Sequence, residues 1–200
     1  MILYVESNFV LEIAYFQEER STCEELLALA DSKEIELVIP AYSLTEPYET
    51  LVRRSNERRQ LHATLLRELH QLSRSSTYTA KQESFQDVTK ILIDSIEEHR
   101  KSLDSTIQRI LSTARIISTT PEILSASLTN KERLGLQPQD AFVYSSILFD
   151  AQHAPTGPKC FITKNKKDFE NPDIEPELMR YDCKLMWNFK HRLGYTKSKL

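Results

Sequence analysis

Three apolar runs in this chain end in acids or amides, an arrangement that suits a metal site built from carboxylates. Ile2-Leu3-Tyr4-Val5 is followed at once by Glu6-Ser7-Asn8. Glu36-Leu37-Val38-Ile39 leads through Pro40 to Glu46, and Cys160-Phe161-Ile162-Thr163 leads to Asn165 and Asp168. Open α/β sheets bind ligands beyond the carboxyl ends of their strands, which is where these side chains would stand. Carboxylates gathered in one place repel each other and resist desolvation, so they stay ionised only beside a cation. Oxygen donors favour hard ions such as Mg²⁺ and Mn²⁺. Ions of that kind activate water and polarise a phosphodiester.

The elements that must position these residues alternate between strand and helix. Asn8 can cap a helix carrying Phe9, Leu11, Ile13 and Ala14, and Ser21-Thr22-Cys23-Glu24 reads as a capping box before Leu26, Leu27 and Leu29. Ser43-Leu44-Thr45-Glu46 repeats that pattern behind the second strand. Leu61, Leu65, Leu69 and Leu72 mark one amphipathic helix; beyond a Ser73–Thr79 break, Phe85, Val88, Leu92, Ile96 and Leu103 mark another. Alternation resumes with a strand near 114–118, a helix from Thr120-Pro121-Glu122 to Gly135, and a helix from Pro138. Strands at 160–163 and 183–186 follow. The expected fold is α/β, with a parallel sheet of about five strands between helices and right-handed crossovers. One domain spans 1–187 with a helical arm inserted at 55–112, and 188–200 is expected to be a loose basic tail.

Composition closes off several other chemistries. The chain has only three glycines, Gly135, Gly157 and Gly194, which excludes the clustered glycines of a Walker A loop or a GxGxxG turn. His62, His70, His99, His153 and His191 are dispersed without ligand spacing, so a histidine zinc site is not expected. Cys23, Cys160 and Cys183 form neither a CxxC pattern nor a disulfide framework, which favours a reducing compartment. With no basic leader and no long uncharged apolar window, a cytoplasmic protein without a membrane span is expected. The formal net charge of -3 gives no global pull toward polyanions, so a nucleic acid would have to be held by local basic patches.

Taken in order, the polar segments resemble the motifs of the PIN-domain nuclease family, which includes the toxin ribonucleases of bacterial toxin–antitoxin pairs. They are Glu6-Ser7-Asn8, Glu46, Asp140 within Pro138-Gln139-Asp140-Ala141, and Thr163-Lys164-Asn165 with Lys167-Asp168-Phe169. The likeness covers roughly 1–54 and 114–186; the arm is longer than in compact toxins. It implies a PIN-like three-layer fold and an endoribonuclease, dependent on Mg²⁺ or Mn²⁺, in which water attacks and the product keeps a 5′-phosphate. By this likeness Glu6, Glu46, Asp140 and Asp168 are the metal ligands, directly or through water, and Asn165 completes the catalytic set. Asn8 and Thr163 would fix their neighbours. RNA as substrate and an antitoxin or other inhibitor as partner are further implications. The family usually has Asp where this chain has Glu6, and often Asp where it has Asn165. The first change moves a carboxylate by a methylene, and the second removes a charge that Asp168, one helical turn on, would restore.

Simpler readings stand beside these. Glu46 fits the capping box of Ser43, and Asp140 fits a first helical turn, where the dipole favours an acid. Asp168 fits a surface acid beside Lys166 and Lys167. Arg53-Arg54 and Arg58-Arg59 are either a phosphate clamp or a solvated helix face paired with Glu49, Glu57 and Glu68. Lys164, Lys166 and Lys167 share a loop with the fourth motif and are expected to touch a nucleic-acid backbone. The leucine stripes serve packing within the arm or a homodimer face. A PIN-like module with a weakened site, binding RNA or a protein, is the alternative function, kept open by Glu6 and Asn165. A phosphatase of the haloacid dehalogenase type is set aside, since Glu6-Ser7-Asn8 supplies no Asp-x-Asp nucleophile.

Overall fold

The computed structural model describes residues 1–75 and 82–190, the latter with side chains from Asp87 onward. Its centre is a sheet of five parallel strands: β1 (Ile2–Tyr4), β2 (Glu36–Pro40), β3 (Arg115–Ile117), β4 (Lys159–Ile162) and β5 (Cys183–Met186). They lie in the order β3-β2-β1-β4-β5. The chain winds outward from β1 to β3, then crosses back to place β4 on the other side of β1. The switch point of the sheet is therefore the crevice between β1 and β4, where doubly wound sheets hold ligands.

Side chains alternate across β1. Leu3 and Val5 enter one core with α1 (Ser7–Ala14), α2 (Arg20–Asp31) and the Leu103, Ile107 and Ile110 turns of α4 (Gln82–Thr113). Ile2 and Tyr4 enter the other, with α5 (Pro121–Leu134), α6 (Pro138–His153) and α8 (Ile174–Met179). Burial on both faces is why the central β1 and its neighbours β2 and β4 read as apolar runs. The short α7 (Lys166–Phe169) follows β4 and drives Phe169 into the second core, edge-on to Phe161 at 5.3 Å.

Two long helices join β2 to β3 and extend beyond residues 55–112 at both ends, from Tyr42 to Thr113. α3 (Tyr42–Leu72) is continuous over 31 residues and packs on α4. At its outer end Leu65 and Leu69 are half-buried, but Leu61 and Leu72 are 49% and 47% exposed, so the leucine stripe is only partly covered. The expected break beyond Ser75 and the Phe85 side chain lie outside the described residues.

Local expectations fail at three helix starts. Asn8 does not cap α1: Glu6 does, because its extended backbone lets the carboxylate receive the Asn8 N–H at 2.9 Å. The Ser21 capping box does not form, since α2 begins at Arg20 and no side chain caps it. The Ser43 box is absent too: α3 begins at Tyr42, so Ser43 already lies inside the first turn, and its hydroxyl is buried without a hydrogen-bond partner among the described residues. The start of the α5 helix is as expected, with Thr120 accepting the Ile123 N–H and Pro121 at the first position, and Gly135 ends it at φ 68°. The chain after Asn188 is not loose at its start. Phe189 is fully buried against Phe9 at 5.6 Å, and its N–H donates to Glu19 Oε2 at 3.0 Å. Residues 191–200 lie outside the described residues. Among the described residues no helix is long and apolar enough to cross a membrane, and Cys23, Cys160 and Cys183 are buried and not joined in disulfides.

Candidate active site

Glu6 stands at the end of β1 and ties it to the end of β4. Its Oε2 accepts from the Asn8 N–H at 2.9 Å and the Ser7 hydroxyl at 3.0 Å; its Oε1 accepts from Asn8 Nδ2 at 2.7 Å and Thr163 Oγ1 at 3.1 Å. Thr163 Oγ1 in turn accepts the Asn165 N–H at 2.9 Å, which shapes the loop after β4. Burial pushes the Glu6 carboxyl above its ordinary value, and the four donors pull against that rise.

Ser7 joins this carboxylate to the next one. Its Oγ is within hydrogen-bond reach of Glu6 Oε2 and also of Glu46 Oε2, on the first turns of α3. A hydroxyl has one proton to give, so it serves one carboxylate at a time. Glu46 is thus turned toward the β1 end and away from the capping role open to it in sequence.

Asp140 comes from the opposite wall, in the first turn of α6, where Pro138 opens the helix. Its Oδ1 accepts from Asn165 Nδ2 at 2.9 Å. The carboxyl is pushed up to about 6, first by burial and then by the charges of Asp168 and Glu46, with the Asn165 bond acting against them. Asp140 on α6 therefore feels the charges of Asp168 on α7 and Glu46 on α3. Glu6, Ser7, Asn8, Glu46, Gln139, Asp140, Lys164 and Asn165 line a cavity of about 290 Å³, floored by Leu11, Val143 and Phe169. Asp168 is half-buried and acts on Asp140 by charge without lining that cavity.

The basic residues divide differently. Lys164 lines the cavity, but its ammonium is 2.5 Å from Glu12, a carboxylate only 1% exposed, and 3.9 Å from Glu18. Lys166 pairs with Glu170 at 3.2 Å across exposed surface, and Lys167 makes no ion pair among the described residues. Arg53 pairs with Glu57 at 3.4 Å, as the solvated-face reading expects, while Arg54 lies over the Tyr15 ring at 5.1 Å. Neither arginine lines the cavity. Sequence reasoning missed Ser7, Gln139 and Glu12. Ser7 and Gln139 adjoin motif residues, so the motifs pointed at them; nothing in the spacing of α1 marks Glu12 as buried.

A family model of the PIN domain matches residues 3–169, from β1 through α7. The chain belongs to the PIN-domain family. A comparison with curated proteins finds no match. PIN domains are generally nucleases and typically use divalent metal ions, and the five-stranded parallel sheet flanked by helices is consistent with that fold.

The donor chemistry of this PIN domain can be set against a divalent ion. Among the described residues, no three His, Cys, Asp or Glu side chains form a compact ligand group. Glu6 already holds four donors on its two oxygens, so it does not fit as a direct ligand while those bonds stand. Glu46 and Asp140 fit better, each with a single oxygen hydrogen-bonded among the described residues. Mg²⁺ keeps several waters and is commonly held by one or two carboxylates plus substrate phosphate. The like-charge crowding at Asp140 is what such an ion would relieve.

Proposed function

We propose that this PIN domain is a metal-dependent endoribonuclease, with Mg²⁺ or Mn²⁺ held by Glu46 and Asp140 and, through water, by Asp168. The observation that carries this reading is the Asp140 carboxyl, raised to about 6 beside two further acids, in the cavity at the sheet's switch point. When bound, the ion would supply an activated water and neutralise charge on the scissile phosphate. Asn165 holds Asp140 in position through its amide. Glu6, Asn8 and Thr163 fix the ends of β1 and β4, and Ser7 orients Glu46. Lys167 is the lysine of the fourth motif open to a phosphate, whereas Lys164 holds its loop against Glu12. The likeness to toxin ribonucleases extends the reading to one half of a toxin–antitoxin pair, with an antitoxin as partner.

The test is cleavage of a fluorescent single-stranded RNA with Mn²⁺ or EDTA, comparing wild type with Glu46→Gln. Cutting that needs Mn²⁺ and disappears in the variant is expected; undiminished cutting by Glu46→Gln would end this assignment. The second reading, a PIN module that binds RNA or a protein without cutting, is favoured by the saturated Glu6 and the missing compact ligand group among the described residues. Binding without metal-dependent cutting is the outcome that selects it.

The response to metal should depend on pH. Asp140 must lose its proton to hold the ion, and it does so near pH 6. The rise in melting temperature with Mn²⁺ should be full at about pH 7 and fade below about pH 6, with apparent affinity falling roughly tenfold per pH unit. Equal shifts at about pH 5 and about pH 7, read by differential scanning fluorimetry, would remove Asp140 from the ion's ligands.

A further inference from the structure

We propose that Phe16, with Arg20, Arg54 and Arg58, forms a base-stacking and phosphate-binding subsite for single-stranded RNA at the far end of α1. The proposal rests on the ribonuclease reading above and deepens it.

Phe16 lies just past the end of α1 with φ 54°, in the left-handed region that bulky side chains seldom occupy. A glycine would fit that position without strain. Its ring nevertheless stays 41% exposed, so core burial does not explain why phenylalanine stands there. The Arg20 guanidinium lies over the ring at 4.5 Å, and the His99 ring of α4 is 6.3 Å away.

The wall behind Phe16 is rigid. Tyr15 stacks on His99 with centroids 4.7 Å apart, and its hydroxyl donates to the Pro47 carbonyl at 3.3 Å. Arg54 lies over Tyr15 at 5.1 Å, and Arg58 Nη1 is 3.2 Å from His99 Nδ1. Burial, with Arg58 and Arg54 nearby, lowers the His99 pKa and keeps the imidazole neutral, so Nδ1 can accept from Arg58. Arg20 pairs loosely with Glu24 at 3.8 Å and Arg53 with Glu57 at 3.4 Å, and Glu98 also acts on His99. Arg54 and Arg58 have rings as neighbours and, among the described residues, no carboxylate in ion-pair contact. Arg54 and Arg58 on this wall, with Arg20 over the exposed Phe16 ring beside it, suit a polyanion with stacking bases.

Placement joins the patch to the cavity. The eight residues of α1 span about 12 Å at 1.5 Å per residue, and Glu46 to Arg54 on α3 covers about the same distance. A strand leaving the cavity along these two packed helices would meet Phe16 and Arg54 together.

The test is fluorescence anisotropy of a labelled oligouridine about a dozen nucleotides long, in EDTA, together with Mn²⁺-dependent hydrolysis of bis(p-nitrophenyl) phosphate, which is too small to reach the patch. Phe16→Gly should weaken oligouridine binding about tenfold while the melting temperature holds or rises. Phe16→Leu, which keeps apolar bulk without a ring face, should weaken it similarly. Arg54→Gln with Arg58→Gln should make the salt dependence of binding shallower by roughly 1 in log–log slope. Hydrolysis of the small phosphodiester should be unchanged in all three. Wild-type affinity in Phe16→Gly, or loss in Phe16→Gly with full affinity in Phe16→Leu, overturns the stacking role. A wild type that hydrolyses the small diester but binds no oligouridine overturns the subsite and leaves the metal chemistry standing. A wild type that does neither overturns both.

Discussion

Asp140→Asn is expected to abolish metal-dependent RNA cleavage while raising the melting temperature of the metal-free protein. In the folded chain the carboxyl titrates near 6 rather than at its ordinary 3.8, because it is buried and faces Asp168 and Glu46. The native state therefore holds this proton more tightly than the unfolded one. Its stabilising contribution is present below about pH 4 and is lost as pH rises through about 6. At neutral pH Asp140 is ionised against like charges, a cost that the neutral amide removes. The bond from Asn165 survives, since the new carbonyl still accepts from Nδ2. A rise of a few degrees above about pH 6, vanishing below about pH 4, is the signature. Cleavage should fall by at least about 10²-fold, the scale of removing one group that acts on developing charge. Cells expressing wild type should arrest if the chain is a toxin, and cells expressing the variant should grow. Normal turnover by Asp140→Asn would dismiss this acid from the chemistry, and a lower melting temperature would show that its charge is already compensated.

The sheet and the order of its motifs could be read because β1, β2 and β4 are buried on both faces and lead into polar residues. β5 lies at Cys183–Met186, where the sequence suggested a strand, and α6 opens at Pro138 with Asp140 in its first turn. What escaped was set by contacts between distant residues. Glu6 caps α1 in place of Asn8 because Thr163, 157 positions away, helps hold its carboxylate at that strand end. Beside α2, Glu19 spends its carboxylate on the Phe189 N–H, 170 positions on. Phe189 itself is one aromatic in a basic stretch, with no periodicity to mark it as core. Lys164 reads as a free loop cation until α1 folds and presents Glu12 to it. At the candidate site, sequence supplied the residue types and the strand ends they follow. Which carboxylate is bonded internally and which is open to a ligand depends on neighbours from other strands.

That division sets the second large effect: Glu6→Ala should cost stability, and Glu46→Ala should cost the response to metal. Glu6 is buried and satisfies two N–H and two O–H donors drawn from the ends of β1 and β4. Removing it orphans both Asn8 N–H donors and the Thr163 hydroxyl around a void, while Ser7 turns to Glu46, an expected loss of about 3–5 kcal/mol. In a chain of this size that lowers the melting temperature by about 10 °C or more. Glu6→Gln should fall between, because Thr163 and Ser7 can turn their hydroxyls toward the new amide while Asn8 cannot turn its backbone N–H. Glu46 is half-buried and, among the described residues, gives up a single contact, that with Ser7, so Glu46→Ala should melt within a few degrees of wild type. It should, however, lose the Mn²⁺-induced rise that Glu6→Gln retains. Thermal melts of the three variants with and without Mn²⁺ decide the matter. If Glu6→Ala melts with wild type and alone loses the metal response, Glu6 is the ligand and Glu46 the support.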